Sequence, residues 1–159
     1  MTKRVHRYET HLTWTGGSAT DAASFAGHER SYRLDAPGKP EIAGSCDKVF
    51  RGDAARWNPE DLLVASLSAC HHLWYMGLCA AAGLVVLAYE DDADGEMTEE
   101  YAGGAGQFVR VTLRPRVTLA SGADRDKALA LHDTAHRNCF VARSVNFPVE
   151  VAPAIVVAD

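Results

Sequence analysis

The sequence predicts an α+β fold with an antiparallel sheet, because its elements read in the order strands, helix, strands, helix, strand. Three observations carry this reading. Asn58-Pro59-Glu60-Asp61 opens a long apolar run with a strong helix-start signal. Residues 108–119 (FVRVTLRPRVTL) alternate apolar and polar side chains. Ala128, Leu131 and Ala135 recur at helical spacing.

The size and composition fit a single domain over residues 1–159. Hydrophobic residues make up 47% and charged residues 23%, an ordinary globular balance. A chain this long buries about 70% of its unfolded surface and needs no disulfide or metal to hold a core. Sixteen Lys+Arg against twenty-one Asp+Glu leave a net charge of -5. That balance, with no basic run, argues against nucleic acid as a partner. The opening MTKRVHRYETHLTWTGG has no apolar signal region, so a cytoplasmic location and four reduced thiols are expected.

Val5 to Thr15 reads as a strand ended by Gly16-Gly17, and 18–27 as a small, polar loop. His28 to Asp35 reads as a second strand, and 36–40 as a Pro/Gly loop. Residues 42–56 read as a short strand followed by a loop. The helix predicted next has Asn58 as N-cap, Pro59 at its first position, two carboxylates at its positive end, and Gly83 as C-terminal cap.

That helix is apolar nearly all round, and no formally charged residue occurs from Leu62 to Ala88. Such a run belongs in a deep core or a membrane. Ala, Ser and His71-His72 dilute its hydrophobicity, and no Lys/Arg cluster flanks it. A central helix covered by sheet on one side and by a second subunit on the other fits better than a membrane span.

Further on, VVLAYE reads as a strand and Asp91-Asp92-Ala93-Asp94-Gly95 as a solvated hairpin tip. Within 108–119, Val109, Val111 and Leu113 share one face, and Arg110, Thr112 and Arg114 the other. Pro115 there marks a sheet edge or a bulge. Ala123 to Asn138 is the second helix, and Phe147 to Ala158 a closing strand.

The chemistry centres on sulfur. Cys46 and Cys79 read as inert small hydrophobes. Cys79 follows Cys70 by nine residues, about 180° around the helix, so the two cannot bridge. His132, His136 and Cys139, at i, i+4 and i+7, would share a helical face if the second helix reached that far, and with Cys70 they make a weak candidate for metal ligands. His71 and Cys70, adjacent on one helix, diverge by about 100° and do not form a nucleophile–base pair. A redox reading requires two thiols from different elements.

Two motifs bear on the choice. Residues 57–70, WNPEDLLVASLSAC, resemble the NPEELL-x-A-x-x-x-C helix of the OsmC/Ohr family, the osmotically inducible and organic-hydroperoxide-resistance proteins. Residues 136–146, HRNCFVARSVN, resemble that family's H-x-x-C-x-V/I-A-x-S-V signature. The resemblance implies a thiol-dependent peroxidase acting on organic hydroperoxides. It also implies an intertwined homodimer with sheets wrapped around long central helices. No cofactor is implied, and an external thiol or dithiol serves as reductant. By the same resemblance Cys70 is the peroxide-attacking thiol, Cys139 the resolving thiol, and Glu60 the carboxylate that orients an arginine. Where the Ohr branch carries an arginine after the Gly-Gly pair, this chain has Ser18. The OsmC branch takes it from the segment before the NPE helix, where Arg51 and Arg56 stand. The alternative is a non-catalytic metal- or ligand-binding module using His132, His136 and the cysteines.

Physical chemistry adds a constraint. A free thiol with a pKa of about 8.5 is only a few per cent ionised at neutral pH. Cys70 lies about three turns from the helix start, beyond the reach of the dipole, and burial raises a thiol pKa. A nearby cation is therefore required, and a guanidinium stays charged while it hydrogen-bonds a peroxide. Glu60 lies about 15 Å up the same helix, so a Glu–Arg–thiolate cluster needs a residue from a second chain.

Overall fold

The computed structural model describes residues 4–17, 28–101 and 104–159. The predicted loop at 18–27, and Ser18 with it, lie outside the described residues. The chain packs as two compact units, one ending at Leu62 and the other running from Leu63 to Asp159.

In the first unit, β1 (His11–Trp14), β2 (Tyr32–Asp35) and β3 (Ile42–Gly44) form an antiparallel sheet in that order. Both leading strands are shorter than the sequence predicts. Only His11–Trp14 and Tyr32–Asp35 pair across the β1–β2 ladder, and residues 4–10 stay exposed without one. Tyr32 sits opposite Gly44, and its ring occupies the space a Cβ at Gly44 would need. Asp47 then caps a 3-10 turn over Lys48–Phe50, and Arg51 closes it in the left-handed conformation at φ 68°. Ser45 N–H donates to the Trp57 carbonyl at 2.9 Å, which delivers the chain to Asn58. As predicted, Asn58 is the N-cap: its side-chain oxygen accepts from Asp61 N–H at 2.6 Å.

Helix α1 (Pro59–Ala81) starts there and continues through the second unit. Leu67, His71, Tyr75 and Cys79 are buried at four-residue spacing, which makes one narrow stripe. Ala65, Ala69, Leu73 and Gly77, on the opposite face, are exposed. By length and composition alone α1 is apolar enough to cross a membrane, with a mean hydropathy of 1.3. Gly83 closes the helix at φ 73°, a conformation that disfavours any side chain.

The second unit holds β4 (Val86–Asp91), β5 (Asp94–Glu99), β6 (Gly106–Leu113), β7 (Pro115–Leu119), α2 (Arg125–Asn138), β8 (Val149–Val151) and β9 (Ala154–Val157). They form two sheets, β4-β7-β9 and β5-β6-β8. The antiparallel expectation holds for β4–β7 and β5–β6, but β8 runs parallel to β6 and β9 parallel to β7. The reason is the crossover: α2 intervenes before the chain returns, and a helical connection permits parallel pairing.

Two predicted single strands are each split. Arg114 separates β6 from β7, and Ala152-Pro153 separates β8 from β9, so both stretches change sheet at a similar place. Pro115 is buried and begins the central strand β7 rather than marking an edge, a position where its missing N–H is tolerated. Thr112, expected on a polar face, is buried as well. Asp92, Asp94 and Gly95 are exposed as expected, but no hairpin forms there, because β4 and β5 lie in different sheets. Arg114 pairs with Asp94, and Arg116 pairs with Asp92 and with Glu90, the last at 3.0 Å.

The main core joins Tyr75 and Cys79 of α1 to Ala128 and Ala135 of α2, over Val117, Leu119 and Ile155 of the sheet. A second cluster gathers Leu67, Val111 and Leu113. Asp124 caps α2 by accepting from Lys127 N–H at 2.9 Å, and Lys127 Nζ donates to the Ala82 carbonyl at 2.9 Å. The lysine thereby ties the start of α2 to the end of α1 at its negative pole. Leu67→Ala is expected to destabilise the fold by about 2–5 kcal/mol. Urea unfolding monitored by circular dichroism checks this; an unchanged midpoint would contradict the packing.

Candidate active site

Cys70 is carried by α1 and is partly exposed. Cys139 is the C-cap of α2, where the backbone leaves the helix at φ −64°, ψ 111°. The helix does not reach Cys139, so the i, i+4, i+7 face expected for His132, His136 and Cys139 is broken at its last member. Instead the turn aims the Cys139 sulfur inward, where it is buried and accepts from Ala142 N–H at 3.4 Å.

The two thiols are neighbours: Cys70 is the side chain that acts on the Cys139 thiol. Burial first, and contact with Cys70 second, push the Cys139 pKa up to about 11, against a smaller opposing effect from the Ala142 N–H. One sulfur is thus partly open and the other buried and protonated. Both are free thiols. Phe140, the next residue, is 68% exposed and packs edge-on against Trp74 of α1 at a 5.6 Å centroid separation. Leu73 is also exposed, at 69%, whereas Leu67 is fully buried in the core.

Behind the thiols lies a group that spacing did not reveal. His71 and His132 are 0% and 2% exposed, and His71 Nε2 lies 3.0 Å from His132 Nδ1. The Tyr75 ring stacks on His132 with centroids 3.8 Å apart. Burial lowers the His71 pKa to about 4, with the His136 charge adding to it and Asp91 opposing it. Burial also lowers His132 to about 3, with His71 adding to it. Both imidazoles are therefore neutral, and one N–H is shared between them. Ser68 on the next face of α1 donates to Asp91 Oδ2 at 2.5 Å, and Asp91 Oδ1 accepts from Arg114 N–H at 2.7 Å. The signal that marks His71 in the sequence is its place in the Leu67–His71–Tyr75–Cys79 stripe.

The metal reading finds no geometric support. His132 Nδ1 is occupied by His71, and among the described residues no group of three or more His, Cys, Asp or Glu converges to hold a metal ion.

The remaining predicted residues lie in the first unit. One Glu60 carboxylate oxygen is buried and has no hydrogen-bond partner among the described residues. Burial, then Glu60, then Cys46, raise the pKa of Tyr32. Arg56 pairs with Asp53 at 3.3 Å and lines an open polar cleft with Tyr32, Arg33 and Glu41. Arg51 is exposed on the left-handed turn. Cys46 donates to the Phe50 carbonyl at 3.2 Å and Cys79 is buried beside Tyr75.

Two sheets and two helices in the second unit, with one thiol on α1 and another at the C-cap of α2, define the class to which this protein belongs. Residues 52–153 match the model of the OsmC-like proteins, and the chain is a member of that family. An OsmC-like protein of unknown function from Vibrio cholerae is 27% identical, with a TM-score of 0.79 over 96% of this chain and 100% of that one. The organic hydroperoxide resistance protein of Elizabethkingia anophelis is 18% identical, with a TM-score of 0.66 over 96% of this chain and 99% of that one. The organic hydroperoxide resistance protein of Bacillus subtilis is 18% identical, with a TM-score of 0.59 over 93% and 98%. No curated protein matches the chain.

The buried imidazoles set a pH response. Each folded-state pKa lies below the free value of about 6.5, so the unfolded chain binds more protons in acid. Their stabilising effect is complete above about pH 6.5 and is lost as pH falls toward 4 and then 3. Between pH 6 and 5 each imidazole is expected to contribute up to about 1.4 kcal/mol per pH unit. Urea midpoints that stay constant from pH 7 to 5 would contradict this.

Proposed function

We propose that this protein is a thiol-dependent hydroperoxide reductase in which Cys70 attacks and Cys139 resolves. The observation that carries the reading is the contact between two free thiols of unequal exposure, contributed by different elements. The partly open Cys70 can meet a peroxide, while the buried Cys139 is shielded from oxidation until its neighbour has reacted.

The Cys70 thiolate attacks a peroxide oxygen, the O–O bond breaks, and the released alkoxide takes a proton to leave as an alcohol. Cys70 is now a sulfenic acid. The Cys139 sulfur displaces its hydroxyl, which leaves as water, and a disulfide forms. An external thiol or dithiol reduces that disulfide by exchange and is itself oxidised. No metal or organic cofactor takes part. Exposed Leu73 and Phe140 beside Trp74 favour a hydroperoxide with a hydrocarbon tail.

The working unit in this proposal is a cytoplasmic homodimer of one OsmC-like domain per chain, intertwined about α1. The face of Ala65, Ala69, Leu73 and Gly77 supports it: an apolar stripe without charge is poorly suited to water. The activating cation is Arg51 or Arg56 from the partner subunit, oriented by Glu60. The Glu60 oxygen that is buried without a partner among the described residues supports that assignment, because a buried carboxylate oxygen calls for a partner.

Cys70→Ser is expected to abolish turnover of cumene hydroperoxide, and Cys139→Ser to permit one oxidation and then stall. A coupled dithiol-oxidation assay measures both, and turnover at the wild-type rate in either variant overturns its assigned role. Leu73→Lys is expected to convert the dimer to monomer in sedimentation velocity. A wild-type protein that is monomeric, or a variant that stays dimeric, contradicts the interface.

A further inference from the structure

Cys70 and Cys139 stand on two helices, and a helix packed by apolar contact alone can settle at more than one height. The stripe that α1 buries repeats every four residues through Leu67, His71, Tyr75 and Cys79. A slip of one turn, about 5.4 Å, would lay a similar stripe on the same core. It would also carry Cys70 away from Cys139, and a disulfide needs Cα atoms within about 7 Å.

The polar members of the stripe prevent that slip. His71 Nε2 lies 3.0 Å from His132 Nδ1, with the two rings within 7° of parallel. Tyr75, one turn further along α1, stacks on the same His132 ring with centroids 3.8 Å apart. Two side chains of α1 thus hold one side chain of α2. Trp74 meets Phe140, the residue after Cys139, edge-on at 5.6 Å. On the sheet side, Ser68 Oγ donates to Asp91 Oδ2 at 2.5 Å. Asp91 Oδ1 in turn accepts from Arg114 N–H at 2.7 Å, where the chain changes sheet.

Ser68 and His71 bracket Cys70 in sequence. Two fixed points on a rigid helix set its height and its rotation, and with them the direction in which the Cys70 side chain leaves it. After a one-turn slip the facing nitrogens of His71 and His132 would meet carbon, and both residues are buried. A buried polar pair is less stabilising than an aliphatic one, but it accepts a single register.

We propose that His71, His132, Ser68 and Asp91 are positioning residues, whose two hydrogen bonds hold the Cys70 sulfur at closing distance from Cys139 and so set how strongly the disulfide forms. This rests on the Cys70–Cys139 pairing in the reading above, but not on peroxide as the oxidant.

The disulfide equilibrium tests it. The protein is equilibrated with mixtures of reduced and oxidised glutathione, and the closed fraction is read by alkylation and peptide mass spectrometry. Closing the Cys70–Cys139 bond releases two electrons and two protons, and oxidised glutathione takes them up to become two molecules of the reduced thiol. H71M/H132L keeps the core filled while removing both polar partners. It is expected to lower the closing constant about tenfold, which raises the potential by about 30 mV. H132N keeps a polar atom at the Nδ1 position and is expected to stay within about threefold of wild type. I155V trims the same core away from the thiols and is expected to leave the constant unchanged. S68A alters only a partly buried side chain, so it serves even if the double variant does not fold. Its constant is expected to fall about threefold.

A double variant or an S68A protein that closes with the wild-type constant overturns the proposal. An I155V shift as large as that of the double variant, or a wild type that forms no Cys70–Cys139 bond, overturns it as well. Failure of the peroxidase reading is distinct: the bond then forms with oxidised glutathione but not with cumene hydroperoxide.

Discussion

The contact between Cys70 and Cys139 depends on how α1 and α2 are packed. Tyr75 and Cys79 of α1 share the main core with Ala128 and Ala135 of α2. Lys127 fastens the start of α2 to the end of α1. With that relation fixed, the last turn of α2 ends beside the middle of α1, and the change of backbone at Cys139 turns its sulfur inward. A loop at either position would leave the geometry of two reactive sulfurs to chance, whereas helix packing sets it.

The same packing explains why polar groups are buried so deeply. The stripe that α1 buries contains His71 and Tyr75 rather than aliphatic residues alone. Each is accommodated by a partner of matching shape: the His132 ring lies within 7° of parallel to His71, and Tyr75 stacks flat against His132. Two neutral rings sharing one hydrogen bond avoid the cost of a buried charge. Replacing His71 or His132 by an aliphatic residue would fill the core but remove a titratable group.

Much of this was legible in the sequence because it is local. Asn58, Pro59 and the two carboxylates mark the start of α1, and Gly83 its end, within a residue. The two cysteine motifs identified the family that residues 52–153 then matched. What was not legible is non-local. No periodicity distinguishes a parallel from an antiparallel partner, so the pairing of β8 and β9 had to come from the fold. Alternation over 108–119 ran unbroken through Arg114, where the chain changes sheet, and Pro115 pointed to an edge although it opens a central strand. His71 was set aside because it diverges from Cys70 along the helix. Its partner lies sixty-one residues away on α2, a distance that spacing rules do not bridge. Arg51 and Arg56 come from the segment the family pattern indicates, and within the first unit Arg56 is engaged with Asp53.

The central claim is that peroxide drives these two sulfurs, and not the other two, into a bond. Peptide mapping of the protein after one equivalent of an organic hydroperoxide, with free thiols alkylated, tests it directly. The account predicts a cross-link between the peptides carrying Cys70 and Cys139, with Cys46 and Cys79 alkylated. A bond involving Cys46 or Cys79, or four alkylated cysteines with the peroxide intact, would contradict it.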